Sequence, residues 1–107
     1  MTSFDERKRG FEADFARDQD LSFRVTARRN RLLGLWVAER LGLAAGAAAE
    51  DYAKTVVAAD FEAPGDDDIV EKVLGDLVAK GIETSAAEVR AELGRAAILA
   101  REQLAGR

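Results

Sequence analysis

The sequence predicts an all-α protein: a four-helix bundle-like domain over residues 20–107, preceded by a flexible N-terminal arm over residues 1–19. Three observations predict it. Apolar residues recur at helical spacing in four successive stretches. Breakers fall between them, at Gly42, Pro64-Gly65 and Gly81. The composition is 48% hydrophobic but only 7% aromatic, and the apolar share is mostly Ala, Leu and Val, which suits helices built on small side chains. No strand pattern competes, and neither a repeat nor a long linker divides the 107 residues. A chain of that length buries roughly 65% of its unfolded surface, enough for one core.

In the arm, Phe4, Phe11 and Phe15 are spaced by seven and four residues, so they share one stripe of a helix. Gly10 weakens that helix and no strong cap precedes it. A lone helix of this length is marginal in water. The arm is therefore expected to be frayed alone and helical where a surface accepts the phenylalanines.

The first stable helix is expected from about Asp20 to Leu41, with Leu21, Val25, Leu32 and Trp36 as its seam, widened by Leu33 and Val37, and Gly42 as its stop. A second is expected from Ala47 to Glu62, with Glu50 and Asp51 in its early turns and Tyr52, Val56 and Ala59 on its buried face. After Pro64-Gly65, Asp66 reads as the N-cap of a third helix, Asp67 to Lys80, with a stripe of Ile69, Val70, Val73, Leu74, Leu77 and Val78. Gly81 is its left-handed stop, with Ile82 supplying the hydrophobic contact. Ser85 and Glu88 form a capping box for a fourth helix reaching Leu104. That helix buries Ala86, Val89, Leu93, Ala97, Ala100 and Leu104 and leaves Ile98 and Leu99 off its stripe.

Composition excludes much chemistry. The chain has no Cys and no His, so it lacks a thiolate nucleophile, the commonest general base and the commonest transition-metal ligand. Ser3, Ser22 and Ser85 have no histidine partner, and no G-x-x-x-x-G-K-[ST] loop occurs. An enzyme is not expected, and no cofactor or metal is required. No apolar run reaches the length of a membrane span, and the charged N-terminus carries no secretory signal. The net charge is −4 but uneven: residues 1–31 carry +2 and the remainder −6. An acidic domain argues against nucleic acid.

Three clusters are candidates for function. Arg24, Arg28 and Arg31 share a helical face, with Arg29 nearer the seam. The plain structural reading is a solvated face paired with acids of the third and fourth helices. The functional reading is an anion or partner site, because guanidinium forks grip carboxylate and phosphate bidentately. Asp66-Asp67-Asp68 suits a helix start, where carboxylates complement the dipole, and lacks the EF-hand pattern of a cation site. The phenylalanine stripe, flanked by Asp5, Glu6, Arg7 and Glu12, is either a helix folded back on the bundle or a ligand for a partner's groove.

The run Ala27-Arg28-Arg29-Asn30-Arg31-Leu32-Leu33-Gly34-Leu35-Trp36, together with Phe4-Asp5, Arg7, Phe11-Glu12, Phe15-Ala16, Asp18, Leu21 and Phe23 before it, resembles the zeta-subunit family of bacterial F-type ATP synthase inhibitors. So do Tyr52-Ala53, Val56-Val57, Asp60-Phe61-Glu62, Pro64-Gly65-Asp66 and Ala79-Lys80-Gly81-Ile82 further on. The chain departs from the family pattern at Arg31, where a Lys is usual, and at Val70 and Glu71, where an aromatic and a basic residue are usual. The resemblance implies a four-helix fold whose mobile arm enters a catalytic α/β interface of the ATP synthase head and blocks ATP hydrolysis. By that resemblance Phe4, Asp5, Glu6, Arg7, Phe11, Glu12 and Phe15 form the wedge. It also implies weak ATP or ADP binding, with Arg24, Arg28, Arg29 and Arg31 facing the phosphates. The place it implies is the cytoplasm, peripheral to the inner membrane through ATP synthase, with no direct membrane insertion. The protein is expected to be monomeric when free. The competing readings are an adenine-nucleotide or anion-binding regulatory module on the arginine face, and a scaffold or dimer joined through Ile98 and Leu99.

Overall fold

The computed structural model describes residues 2–60 and 65–106, with side chains described from residue 19 onward. It contains four α-helices and, among the described residues, no strand: α1 (Thr2–Arg40), α2 (Ala47–Ala59), α3 (Asp67–Ala79) and α4 (Ala86–Ala105). The two long helices, α1 and α4, pack on each other. Helix α2 lies against α1, and α3 bridges α2 and α4.

Helix α1 passes the expected boundary near Asp20 and passes Gly10 without interruption. Nucleation is the costly step of helix formation. Once the half packed in the bundle is formed, extension adds one hydrogen bond for each residue fixed. The i,i+4 pair between Asp20 and Arg24, 3.2 Å apart, lies along the extension. The side chains of Phe4, Asp5, Glu6, Arg7, Phe11, Glu12 and Phe15 lie outside the described residues.

The seam of α1 is rotated from the expected one. Leu21 is half exposed, and Val25, Leu32 and Trp36 sit at the edge of the core. The buried face is Asn30, Leu33, Gly34, Val37 and Ala38. The cause lies in the small residues. A Cβ added at Gly34 would stand 2.7 Å from Ala53 Cα and 3.0 Å from its Cβ, so α1 and α2 approach to a distance that only glycine permits. Counting large apolar side chains finds the flank of such a contact, not its centre.

The remaining core follows from the helix stripes. Val56, Ile69, Val70, Val73, Leu77, Val89 and Leu93 join Leu33 and Val37 in one cluster, with Trp36, Leu41, Tyr52, Leu74 and Ile82 packed around it. Val78, placed on the buried stripe of α3 by spacing, is exposed, and Ala96 takes the buried place expected of Ala97. Ile98 and Leu99 are exposed, as their position off the stripe implied.

Helix ends are set by specific chemistry. Gly42, at φ 79°, ends α1. Its N–H donates to the Glu39 carbonyl at 3.1 Å and that of Leu43 to the Ala38 carbonyl at 3.0 Å. Gly81, at φ 80°, ends α3 the same way, its N–H bonded to Val78 and that of Ile82 to Leu77. Both are Schellman closures, in which glycine takes the left-handed position at no Cβ cost. Ser85 caps α4, accepting the Glu88 N–H at 3.2 Å, while the Glu88 carboxylate accepts the Thr84 hydroxyl at 3.1 Å. Helix α2 ends at Ala59, with Asp60 as its C-cap, before the expected Glu62, which lies outside the described residues.

Candidate functional site

The arginines foreseen as one basic face are divided among separate partners. Arg24 pairs with Asp20 on its own helix. Arg28 donates to the Gln103 side-chain carbonyl of α4 at 3.2 Å. Arg29 holds Asp66 through both guanidinium arms, at 3.0 and 3.3 Å, and its Nε donates to Asn30 Oδ1 at 3.0 Å. Arg31 makes a second fork, on Glu50 of α2. The acids that meet these arginines come from α1 itself, from α2 and from the N-cap of α3, not from the body of α3 and α4.

Arg29 is largely buried, and Asn30, 1% exposed, is the one buried polar side chain of the described core. No buried side-chain nitrogen or oxygen among the described residues lacks a hydrogen-bond partner. The Arg29–Asp66 fork therefore ties α1 to the start of α3 in a part-buried setting, where a charged bidentate pair is geometrically specific.

This changes the role expected of Asp66. It occupies the N-cap position of α3, yet its side chain makes no capping bond and its backbone is helical, at φ −98° and ψ −3°. Its carboxylate is turned to Arg29, which outcompetes a single backbone N–H. Asp67 pairs with Arg90 of α4 at 2.7 Å. Among the described residues no three carboxylates converge as a metal site would require.

Two grooves flank α1 where it leaves the bundle. One, of about 330 Å³, is lined by the polar side chains Gln19, Ser22, Thr26, Asn30 and Asp60 with Phe23, Ala27 and Val57. The other, of about 770 Å³, has an apolar lining of Leu21, Phe23, Ala27, Val57 and Leu104, and three arginines, Arg24, Arg28 and Arg31. Leu21 and Phe23 are 50% and 58% exposed.

A cluster that sequence reasoning missed lies on the opposite side of α2. The Tyr52 hydroxyl donates to Asp76 Oδ2 at 2.7 Å. Lys72 reaches the same oxygen at 3.0 Å and stands 5.2 Å from the centre of the tyrosine ring. Burial, then the hydrogen bond and charge of Asp76, push the Tyr52 hydroxyl far above its ordinary range. These residues are 24 positions apart, and no local pattern links them. Lys72 and Asp76, four residues apart on α3, are the only part legible as a pair.

No helix among the described residues is long and apolar enough to cross a membrane. A comparison with curated proteins finds no match for the chain. The family described as ATPase inhibitor subunit zeta matches residues 1–103, from the start of α1 nearly to the end of α4. That range includes the Ala27–Trp36 run on which the sequence resemblance rests. With the match spanning almost the whole chain, and with the four-helix fold the resemblance implied, the chain belongs to the ATPase inhibitor subunit zeta family, whose role is regulatory inhibition of ATP synthase.

Proposed function

We propose that the chain inhibits ATP hydrolysis by inserting the N-terminal part of α1 into a catalytic α/β interface of the ATP synthase head. Phe4, Phe11 and Phe15 would be the apolar anchors of that wedge, and Asp5, Glu6, Arg7 and Glu12 would set its orientation. The observation that carries the reading is the course of α1. The first fully buried residue of the described helix is Asn30, and residues 19–24 are all exposed. The bundle therefore ends well before the helix does. At 1.5 Å per residue, the 23 residues from Thr2 to Arg24 run about 35 Å along the helix before Val25, the first partly buried position described. A rod of that kind reaches into a crevice while the globular part stays outside.

Deleting residues 1–18 tests the reading. The expected result is loss of inhibition of ATP hydrolysis by the purified head. Inhibition by the shortened chain equal to that of the full chain would sink it.

Adenine-nucleotide binding at the arginines is the second reading. Arg28 favours it, because its partner is a neutral amide and a phosphate could compete for the guanidinium. Arg29 and Arg31 already hold carboxylates. Amide shifts at Arg28 and its neighbours on adding millimolar ATP would support a site there, and unchanged spectra would remove it.

A further inference from the structure

Residues 19–29 of α1 are helical although their own sequence supports a helix poorly. Asp20, Ser22, Phe23, Val25 and Thr26 are all weaker helix formers. Their β-branched and aromatic side chains lose rotamer freedom in a helix, and the short polar ones compete for its backbone. Within the stretch, the ion pair between Asp20 and Arg24 is well exposed on both sides, where such a pair contributes little. The support must come from packing. Exposure falls along the stretch, from the exposed residues 19–24 to the half-buried residues 25–29. The end of α4 meets it there. Ala100 is fully buried. Leu104 is half-buried and lines one crevice with Leu21, Ala27 and Val57 of α2, and Arg101 lines another with Val25 and Thr26. The Arg28 guanidinium donates to the Gln103 side-chain carbonyl at 3.2 Å, a direct tie between the two helices across 75 residues of chain.

We infer that residues 100–104, the end of α4, form a brace that keeps residues 21–29 of α1 helical in the free protein, and that Gln103 and Leu104 are positioning residues for inhibition. The inference rests on the wedge reading and adds how the helix behind the wedge is held. A helix extends cheaply only from a turn that is already formed. Residues 21–29 are the turns that connect the core, from Asn30 onward, to the segment proposed to enter the partner. With those turns held by α4, their ordering cost is met before binding. Without the brace it would be met at the partner, and affinity would fall although no residue that touches the partner had changed. Both positioning residues lie at the surface of the bundle, Gln103 exposed and Leu104 half-buried, and neither belongs to the main core cluster. Their loss therefore loosens the exit of α1 and leaves the core intact.

Two full-length double variants test the brace. Gln103→Ala with Leu104→Ala removes it, and Gln103→Glu with Leu104→Met keeps an acceptor for Arg28 and the bulk of the leucine. Amide hydrogen exchange of the free protein is read at residues 21–29 and, as the control, at Leu33 and Val37 in the core. Inhibition of ATP hydrolysis by the purified head is read on the same samples. The alanine pair is expected to lose about tenfold or more of the protection at residues 21–29 while the core amides stay within about twofold. Its half-inhibitory concentration should rise by about threefold or more. The conservative pair should restore both. Parent-like protection at residues 21–29 in the alanine pair would overturn the inference and leave the wedge reading standing. Equal loss at Leu33 and Val37 would overturn it too, because the α4 end would then be an ordinary part of the core. Selective loss of protection with undiminished inhibition would remove Gln103 and Leu104 as positioning residues. Undiminished inhibition by Phe11→Asp with Phe15→Asp would sink the wedge reading, while the exchange measurement would still decide whether α4 holds α1.

Discussion

At Gly34 the whole contact between α1 and α2 depends on a missing methyl group. The Cβ of an alanine there would meet Ala53 Cα, which is backbone and cannot swing aside. Gly34→Ala should destabilise the bundle by about 1–3 kcal/mol, the ordinary cost of overpacking. Gly94, midway along α4, is a helical glycine with nothing within 4 Å of the same added atom. There the alanine gains helix propensity, and Gly94→Ala should stabilise by about 0.5–1 kcal/mol. Urea denaturation of the two variants checks the pair, because one substitution is expected to act with opposite signs at the two sites.

Tyr52 supplies a pH dependence of its own. The group facing its hydroxyl is Asp76, with the Lys72 ammonium on the same carboxylate. The folded state holds the phenolic proton more tightly than the unfolded chain does. Its stabilising contribution is therefore complete below the unfolded value of about 10, and is lost as pH rises above that value. Tyr52 is the only tyrosine in the chain, so tyrosinate absorbance reads it directly. The absorbance should rise together with loss of helix as the pH is raised above 10, and Tyr52→Phe should lower stability at neutral pH while flattening its decline in alkali. Tyrosinate forming in the intact helical protein near pH 10 would show that the hydroxyl is not held.

Among the elements, α1 and α3 are joined by a charged fork. Arg29 is 15% exposed and Asp66 41%, so solvent screens the pair only on one side. The coupling energy from a double-mutant cycle of Arg29→Ala and Asp66→Ala should be about 1 kcal/mol. Each single variant should cost more than the coupling alone, because either change strands a part-buried polar partner. The exposed Arg31–Glu50 fork, 47% and 40% exposed, should give a smaller coupling in the same measurement. Equal couplings in the two cycles would show that burial does not distinguish them.

In the whole molecule, the helix that builds the core and the helix proposed to carry inhibition are one element. Its packed part begins with the partly buried residues 25–29 and Asn30, and residues 19–24 before them are exposed. The described core cluster begins at Leu33, and on the wedge reading deletion of residues 1–18 should leave the thermal midpoint within about 2 °C of the full chain. A much larger fall would mean that the segment packs against the bundle. Trp36, the only tryptophan, sits at the edge of the core under Arg40, 4.2 Å from its ring centre, and its emission follows the transition.

Element type, order and most ends were legible along the chain, because helix periodicity, Pro-Gly breaks, the Gly42 and Gly81 closures and the Ser85 cap are all local chemistry. So was the resemblance that pointed to the family. Tertiary structure alone decided how the helices face one another. Large apolar residues such as Leu21 and Trp36 drew the expected seam, but Gly34 let α1 settle on α2 through its small side, which left Leu21 in a groove and put Asn30 in the core. It also decided which acid each arginine met. Charge pairing across helices depends on distances set by packing, and no spacing within a single helix encodes that Arg29 finds Asp66 while Arg31 finds Glu50.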